Sequence, residues 1–414
     1  MCPHCWHGFA PEDALWITQS AELVGDPRLG PDYPRRFLPM RFNVRGDAID
    51  SGGQACTSLA CPNCHLEVPR AMFELSAVFF SILGAPASGK SYLLAAMTWQ
   101  LRQSLTRDFG LSFSDADPAS NRSLNEYEEL LFLNSNANKL VAIRKTELQG
   151  ELYDTVLFGE QVVSYPRPFI FGVRPLEKHP NYARASQLGT AICLYDNAGE
   201  HFYPGQDTAG SPVTRHIAHA RVLFFLFDPT QDPRFRKLCA ATSKDPQLSD
   251  QARTSRQETI LHEAADRVRR YTGLAQHAKH SQPLVVIVTK YDAWSKLLPV
   301  QLKNPWAPSR TSGLCGLRMG EIKAVSASVR QLLWQHTPEI VSTAETFAKE
   351  VYFLPVSATG TPPEVDAQTG MLGIRPGKLR PVWAEVPMLF ALAGWGNGLI
   401  PYVDSVPANA PATG

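Results

Sequence analysis

The sequence lacks any long hydrophobic run, and it has no marked excess of charge of either sign. Its apolar stretches, such as "VLFFLF" at 222–227, are far shorter than the roughly 20 residues that a membrane-spanning helix needs. Lys and Arg number 40 against 39 Asp and Glu, so the net charge of +1 argues against general attraction to nucleic acid or to an anionic membrane. No positively charged leader with an apolar core opens the chain, and we expect a soluble cytoplasmic protein without a transmembrane segment.

Cysteine is scarce, and its distribution is uneven. Five of the eight cysteines lie in the first 64 residues, whereas Cys193, Cys239 and Cys315 are scattered over the rest of the 414-residue chain. In a reducing compartment such clustering predicts metal binding before disulfide formation. Residues 1–74 are also rich in Pro, Gly and Arg, which predicts a loop-rich module held together by something other than a large core.

The character of the chain changes at Leu75, where short apolar runs begin to alternate with helical patterns. The runs are "AVFFSIL", "PFIFGV", "AICLYD", "VLFFLFD", "LVVIVT" and "VYFLPVS". Continuous apolar strands between helices predict an α/β domain over 75–400, with a mostly parallel sheet and helices on both faces. Two long stretches, near 108–166 and 293–319, are interpreted as insertions, and the tail at 401–414 is predicted to be disordered.

The segment "GAPASGKS", Gly84–Ser91, lies between an apolar strand and a helical pattern. It satisfies the pattern G-x-x-x-x-G-K-[ST] in the strand-to-helix context that this phosphate-binding loop requires. Its backbone N–H groups would cradle phosphate oxygens, with Lys90 reaching the β- and γ-phosphates and Ser91 ligating magnesium. Lys90 is therefore also a catalytic candidate. The nucleotide contacts predicted here are Gly84, Ala87, Ser88, Gly89, Lys90, Ser91 and Tyr92.

The run "AICLYDNAGE" ends in the pattern D-x-x-G. Asp196 at the end of the apolar strand can hold a magnesium-bound water. The amide of Gly199 can donate to the γ-phosphate and thereby sense whether that phosphate is present. The pattern is common, and its position at a strand end is what makes it informative.

Residues at the ends of two later strands would favour guanine over adenine. In "VVIVTKYD", the carboxylate of Asp292 can accept the neighbouring N1 and N2 protons of guanine, a donor pair that adenine lacks. We expect the Lys290 stem to pack on the base and Thr289 to brace the loop. In "FLPVSATG", the backbone of Ser357 and Ala358 can contact the guanine carbonyl oxygen.

Taken in chain order, "GAPASGKS", "DNAG", "TKYD" and "SAT" resemble the motifs of the translation-factor-like and Ras-like class of P-loop GTPases. The resemblance covers about Leu75 to Leu392. It implies a P-loop NTPase fold with a six-stranded, mostly parallel sheet in which "PFIFGV" is the antiparallel strand. It also implies GTP or GDP with Mg²⁺ as ligands and GTP hydrolysis as the activity.

The resemblance leaves the hydrolytic residues open. Ras-like and heterotrimeric G-protein domains have a glutamine just after D-x-x-G that orients the attacking water, whereas this sequence has Glu200 followed by His201. Glu200 could act as a base, contact a cation or point outward, and His201 could orient the water as a histidine does in translation-factor relatives. For the switch threonine that closes over magnesium, "VAIRKTELQG" offers Thr146, with Thr155 behind it.

Two Cys-x-x-Cys pairs, "CPHC" at Cys2–Cys5 and "CPNC" at Cys61–Cys64, predict a structural zinc site. Each pair presents two thiolates to one ion, and two pairs complete the tetrahedral set that zinc prefers. A closed site of this kind folds the loops between the pairs and presents a docking surface, rich in Arg and aromatic residues at "DYPRRFLPMRFNVRG". The competing ligands are His4, His7, Cys56 and His65.

The zinc-knuckle leader combined with "RFLP", "ACPNCHLEVPR", the phosphate loop, "DNAGE" and "TKYD" is similar to the bacterial double-GTPase families of conflict and signalling gene clusters. That similarity implies an effector protein or a second GTPase as partner, and it leaves the oligomeric state open. Three alternatives to a GTP-hydrolysing switch remain at this point. They are a non-hydrolysing nucleotide-gated scaffold, an ATP-using enzyme or kinase, and a zinc-ribbon nucleic-acid binder, which the balanced charge disfavours.

Overall fold

The computed structural model describes residues 1–143, 153–196, 199–203, 212–241, 243, 245–249, 252–309, 313–368, 370–396 and 398–403. The predicted switch residue Thr146 lies outside these ranges, as does most of the tail, at 404–414. None of the helices within them is long and apolar enough to cross a membrane.

The cysteine-rich segment forms short antiparallel strands. Four of them, in the order β4-β1-β7-β8, make a small sheet, while β2 pairs with β3 and β5 pairs with β6. A single turn of helix, α1, leads into the rest of the chain. The elements are β1 (Leu15–Ile17), β2 (Val24–Asp26), β3 (Gly30–Pro34), β4 (Arg36–Phe37), β5 (Ala48–Ile49), β6 (Ala55–Cys56), β7 (Leu59–Ala60), β8 (Glu67–Val68) and α1 (Ala71–Glu74).

The described strands after α1 coincide with the apolar runs, with several short additions. In chain order they are β9 (Ser76–Gly84), β10 (Leu111–Asp115), β11 (Tyr153–Phe158), β12 (Gln161–Pro166), β13 (Phe169–Pro175), β14 (Thr190–Asp196), β15 (Val222–Phe227), β16 (Leu284–Val288), β17 (Trp306–Pro308), β18 (Cys315–Leu317), β19 (Val351–Pro355), β20 (Glu364–Val365) and β21 (Leu372–Gly373). Two antiparallel pairs, β11–β12 and β17–β18, lie within the stretches interpreted as insertions.

Seven of these strands form the central sheet, in the order β10-β13-β14-β9-β15-β16-β19. β13 runs antiparallel to both of its neighbours, and the strands from β14 to β19 pair in parallel, which confirms the antiparallel strand predicted at "PFIFGV". The prediction of six strands is wrong by one, because "LSFSD" at 111–115 supplies the edge strand β10. Its alternating polar residues gave no continuous apolar run that would reveal it.

The helix that follows Gly89, α2 (Lys90–Arg107), has apolar residues four positions apart on one face. In α2, the stripe of Leu93, Met97, Leu101 and Leu105 is buried against the sheet. The described helices after α1 are α2 (Lys90–Arg107), α3 (Arg122–Phe132), α4 (Ala185–Leu188), α5 (Pro233–Ala240), α6 (Gln257–Thr272), α7 (Tyr291–Trp294), α8 (Met319–His336), α9 (Pro338–Phe347) and α10 (Val386–Trp395).

Successive residues of β9 and β14 alternate between two cores. Phe80 and Leu194 belong to the core that the helices share. The opposite face of these strands carries Phe79, Cys193 and Tyr195. These side chains pack with residues of the cysteine module, residues 1–74, among them Cys2, Trp6, Cys61, Cys64 and Leu66. The expectation of helices on both faces is therefore wrong for this part of the sheet. The cysteine module and the β11–β12 hairpin cover it instead.

Trp6 lies at the centre of this second core. Its Nε1 donates to the hydroxyl of Tyr195 at 3.1 Å, and that hydroxyl donates to the carbonyl of Pro3 at 2.5 Å. Burial raises the pKa of Tyr195 well above its usual range, so the hydroxyl keeps the proton that it donates. The indole also stacks on His219, with ring centroids 6.0 Å apart, and meets the edge of Tyr165.

We expect Tyr195→Phe to lower the free energy of unfolding by about 1–3 kcal/mol, because it leaves the indole N–H and the Pro3 carbonyl buried without their partner. Chemical denaturation of the zinc-loaded chain measures the change. Tyr182→Phe is the control, because Tyr182 is exposed and should tolerate loss of its hydroxyl. Equal stabilities of the two variants would show that these bonds contribute nothing.

Candidate nucleotide site and metal centre

The phosphate loop connects β9 to α2, as the sequence predicts. Gly89 precedes the helix in a left-handed conformation (φ +93°), and α2 begins at Lys90. The first-turn N–H groups of a helix have no partner inside the helix, so they face an anion that lies at its N-terminus. The ammonium of Lys90 curls into the loop and donates to the carbonyls of Gly84 and Ala85, at 3.1 Å each.

A cavity of about 580 Å³ opens beside this loop, a size typical of small-molecule sites. It brings together residues from all four motifs of the GTPase resemblance, although these lie up to 271 positions apart, from 87 to 358. The predicted site residues that line it are Ala87, Ser88, Gly89, Lys90, Ser91, Tyr92, Gly199, Glu200, Thr289, Lys290, Ser357 and Ala358. The carboxyl ends of parallel strands meet at one edge of a sheet, and this common edge is why the motifs converge.

The three other predicted nucleotide and magnesium residues do not line the cavity but are connected with the elements that form its wall. Gly84 ends β9, and Asp196, which is buried, ends β14 in register with Ile82. A Cβ on Gly199 would come within 2.5 Å of the Gly84 carbonyl oxygen, so only glycine lets the D-x-x-G segment pack directly on the phosphate loop. Asp292 is the third, and it is connected to the wall through a hydrogen bond.

The two base-recognition motifs are joined by that hydrogen bond. The Ser357 hydroxyl donates to Oδ1 of Asp292 at 2.5 Å and accepts from the amide of Gly360 at 2.7 Å. Burial raises the pKa of Asp292, whereas the Ser357 hydrogen bond and the charge of Lys290 lower it. In its ionised form, a partly buried carboxylate in these surroundings is the acceptor that two adjacent N–H donors need.

Lys290 makes contacts that the sequence did not reveal. Its stem lines the cavity, but its ammonium binds the carboxylate of Asp228 at 2.6 Å and the side-chain oxygen of Gln247 at 2.7 Å. Asp228 is fully buried directly after β15, in "FDPTQD". An acid at the end of an apolar strand was the available signal, and it was missed because its partner lies 62 residues away.

The residues predicted to assist hydrolysis are separated. Glu200 lines the cavity. The His201 ring instead packs beside Tyr153, with centroids 5.5 Å apart, and its backbone carbonyl accepts from Arg267. Thr155, the reserve switch threonine, lies exposed in β11, away from the cavity residues. Of this pair after D-x-x-G, Glu200 alone is placed at the cavity wall.

A segment that no motif revealed helps to cover the cavity. It is the roof segment, described over residues 363–368 and 370–374, which contains the β20–β21 pair and follows the "SAT" motif. Its Ile374 exchanges two backbone hydrogen bonds with Val141, of 2.8 and 2.9 Å. Nearby, the amide of Ile143 donates to the hydroxyl of Tyr92 at 3.1 Å. The cavity-lining residues of this cover are Ala142, Ile143, Pro363, Met371, Leu372, Gly373 and Ile374.

The four predicted zinc ligands converge on one point. The sulfurs of Cys2, Cys5, Cys61 and Cys64 all lie within 4.8 Å of one another, and two of the pairs are 3.7 Å apart. Four thiolates placed tetrahedrally about 2.3 Å from a zinc ion would be about 3.8 Å apart. The backbone amides of His4 and Asn63 donate to sulfur within the two turns. The cluster therefore fits a zinc ion.

The competing ligands are engaged elsewhere. Cys56 lies beside Asp50, and His65 Nδ1 pairs with Asp26 at 2.9 Å. His4 Nε2 contacts the carbonyl of Glu67 at 3.0 Å, and His7 stacks on Phe9. Within the described part of the chain, the four cysteines are the group whose ligand atoms could share one metal ion.

No protein-family model matches the chain. A curated relative is SaeC of Mycolicibacterium smegmatis, to which a provisional role in ESX-1 scaffolding and assembly is given. The two are 26% identical over 245 residues, which cover 55% of this chain and 57% of SaeC. The chain thus spans little more than half the length of that relative. The similarity to double-GTPase families stays a prediction.

Among solved structures, the chain is similar to Era in complex with MgGDPNP and a segment of 16S ribosomal RNA, at 12% identity, and to an Aquifex aeolicus Era variant bound to GDP and AlF₄⁻, at 13%. Each match covers 69% of this chain and 52% of the other, with a TM-score of 0.23. At a TM-score this low, the superposition supports no statement about the site.

We expect the purified chain to contain about one zinc ion, because four cysteine ligands close a structural site. Cys64→Ser should abolish zinc retention and lower the thermal midpoint, whereas Cys56→Ser should retain the metal because Cys56 lies outside the cluster. Elemental analysis and a colorimetric zinc-release assay measure both. Loss of zinc from Cys56→Ser, or its retention by Cys64→Ser, would contradict the assigned ligand set.

Proposed function

We propose that the protein binds GTP and GDP with Mg²⁺, hydrolyses GTP slowly, and acts as a molecular switch toward a partner protein. One observation carries the proposal. A single cavity is lined by the phosphate loop at Lys90 and by the base-recognition motifs at Lys290 and Ser357, and Ser357 holds Asp292 at its wall. A nucleotide bound there would have its phosphates at the N-terminus of α2 and its base at the ends of β16 and β19.

Guanine is the base that the polar groups at this end favour. The Asp292 carboxylate has one oxygen bonded to Ser357, and carboxylate oxygens have further lone pairs for two neighbouring N–H donors. Adenine lacks two such neighbouring donors, and a site built for hydrogen bonds rejects a base that cannot make them. The ATP-using alternative is therefore disfavoured by the hydrogen-bonding requirement of the partly buried Asp292 side chain.

Magnesium fits the residues at the phosphate end. Ser91 lines the cavity in the first turn of α2, and the buried Asp196 ends the strand that leads to Gly199. Bound magnesium would neutralise charge on the β- and γ-phosphates. Gly199 packs on the phosphate loop, so its amide is suited to report on a γ-phosphate, and this contact is the proposed basis of switching.

A non-hydrolysing scaffold is the second candidate, and the placement of Glu200 and His201 favours it. A carboxylate at the cavity wall repels a γ-phosphate, and the histidine that could replace it packs on Tyr153. The similarity to SaeC, a protein linked to scaffolding and assembly, supports a partner protein under either candidate. Turnover distinguishes the two.

We expect Asp292→Asn to weaken GDP binding by about a hundredfold and to improve binding of xanthosine diphosphate, because an amide can donate to the xanthine C2 carbonyl that replaces the guanine amine. Titration calorimetry with magnesium measures GDP, xanthosine diphosphate and ADP on both chains. ADP that binds the wild type as tightly as GDP would overturn the guanine assignment while leaving the phosphate loop intact.

We expect slow phosphate release from GTP by the wild type, and loss of release in Lys90→Ala, which lacks the ammonium for the phosphates. Glu200→Gln should hydrolyse faster at neutral pH, because it removes the negative charge at the cavity wall. Single-turnover assays at saturating GTP measure the rates. A wild type that binds GTP without releasing phosphate would favour the scaffold, and a large loss in Glu200→Gln would identify Glu200 as a base.

A further inference from the structure

Asp228 is a fully buried acid between the two halves of the nucleotide site. Its Oδ1 accepts from the amide and the hydroxyl of Thr230, at 3.0 and 2.7 Å. Its Oδ2 binds the ammonium of Lys290 at 2.6 Å and accepts from Gln231 Nε2 at 3.1 Å. The side chain of Gln257 pairs with both backbone groups of Asp228, at 2.8 Å each. The carboxylate is therefore held in one orientation.

Lys290, the partner of Asp228, has a strained backbone. Its φ of +54° and ψ of +40° are left-handed, a conformation that residues with a Cβ seldom adopt. Such outliers persist where the surroundings over-determine them, often at binding sites. The turn at Lys290 starts α7, whose second residue is Asp292. The contacts that hold Lys290 thus also determine where Asp292 lies.

The ammonium of Lys290 interacts electrostatically with several carboxylates. Besides Asp228, it lies near Asp292 and Asp245, and its charge lowers the pKa of both while their burial raises it. Asp245 is itself buried, with one oxygen accepting from Gln247, the residue that also accepts from Lys290. Displacement of Lys290 would leave these acids without the cation that favours their ionised forms.

The same network reaches the phosphate loop. Gln231 Nε2, which donates to Asp228, also donates to the carbonyl of Pro86 at 3.1 Å. Pro86 lines the cavity between the two glycines of the loop. A chain of buried hydrogen bonds therefore joins the phosphate loop, through Gln231 and Asp228, to Lys290.

We propose that Asp228 is a positioning residue for guanine recognition, which holds Lys290 in its left-handed turn so that Asp292 faces the base. The inference rests on the proposed function. A purely structural role explains the pair less well, because a buried ion pair usually gives no more stability than apolar residues of the same volume. Asp228 has no contact with the nucleotide in this assignment and acts through Lys290.

The test compares the affinities for GDP, ADP and inorganic pyrophosphate by calorimetry with magnesium. Pyrophosphate reports on the phosphate loop alone. We expect Asp228→Asn to lower the ratio of GDP to ADP affinity about tenfold and to change pyrophosphate affinity less than about twofold, since the pair couples to the base loop. Lys290→Met should lower the ratio similarly, and the double variant should be no worse than either single one.

Asp232→Asn is the matched control, because Asp232 caps α5 from the same loop and bonds Arg234 and Phe235 rather than Lys290. It should lose stability without a change in base preference. If the Asp228→Asn chain does not fold, Asp228→Glu retains the charge, displaces the carboxylate by one methylene and should also lower the ratio.

Two results would overturn the inference alone: an unchanged GDP-to-ADP ratio in the Asp228 variants, or equal losses of GDP and pyrophosphate affinity. A wild type that binds ADP as tightly as GDP would overturn the guanine assignment, and the role of Asp228 with it.

Discussion

The packing of the cysteine module against one face of the central sheet is the constraint on which the rest of the structure depends. A mostly parallel sheet must bury both faces, and here β9 and β14 bury one of them under the module. The strands of the module are only two to five residues long, too short to enclose a core of their own. The module therefore depends on the sheet to bury its apolar residues, and the sheet depends on the module to cover one of its faces. A metal bound by the four cysteines would join the two distant ends of the covering segment.

This packing reaches the nucleotide site through the same strands. The ring of His216 stacks on Tyr195, with centroids 4.7 Å apart, and hydrogen-bonds Ser81 at 2.7 Å. Burial lowers the pKa of His216 to about 3, so the ring is neutral at physiological pH and fits an apolar core. Tyr195 immediately precedes Asp196, and Ser81 lies three residues before the phosphate loop. The backbone that delivers both motifs is thus held from the opposite face by the module.

Structural features that short-range sequence patterns encode were predicted. Features that depend on pairs of residues far apart in the chain were not. Apolar runs located six strands of the sheet, and paired Cys-x-x-Cys turns named the four cysteines that converge. The position of the module on the sheet was not predictable, because a strand covered by helices and a strand covered by a cysteine module have the same apolar sequence pattern. Asp228 was missed for a related reason: an acid after a strand is usually a solvated end, and only its pairing with Lys290 shows otherwise. The roof segment carries no motif at all.

The roof segment lines the cavity, and the contacts that hold it bear on how a ligand could enter. Val141 and Ile374 exchange two hydrogen bonds, which join the roof segment to the chain that follows α3. Arg375 and Lys378 both pair with Glu364 of the roof segment, whose side chain is 34% exposed to solvent. An element held in part by such partly exposed ion pairs is expected to open at lower free energy than the strands of the central sheet. We therefore expect a ligand to reach the cavity more readily by local opening of the roof segment than by disturbance of the phosphate loop or of the buried Asp228 network.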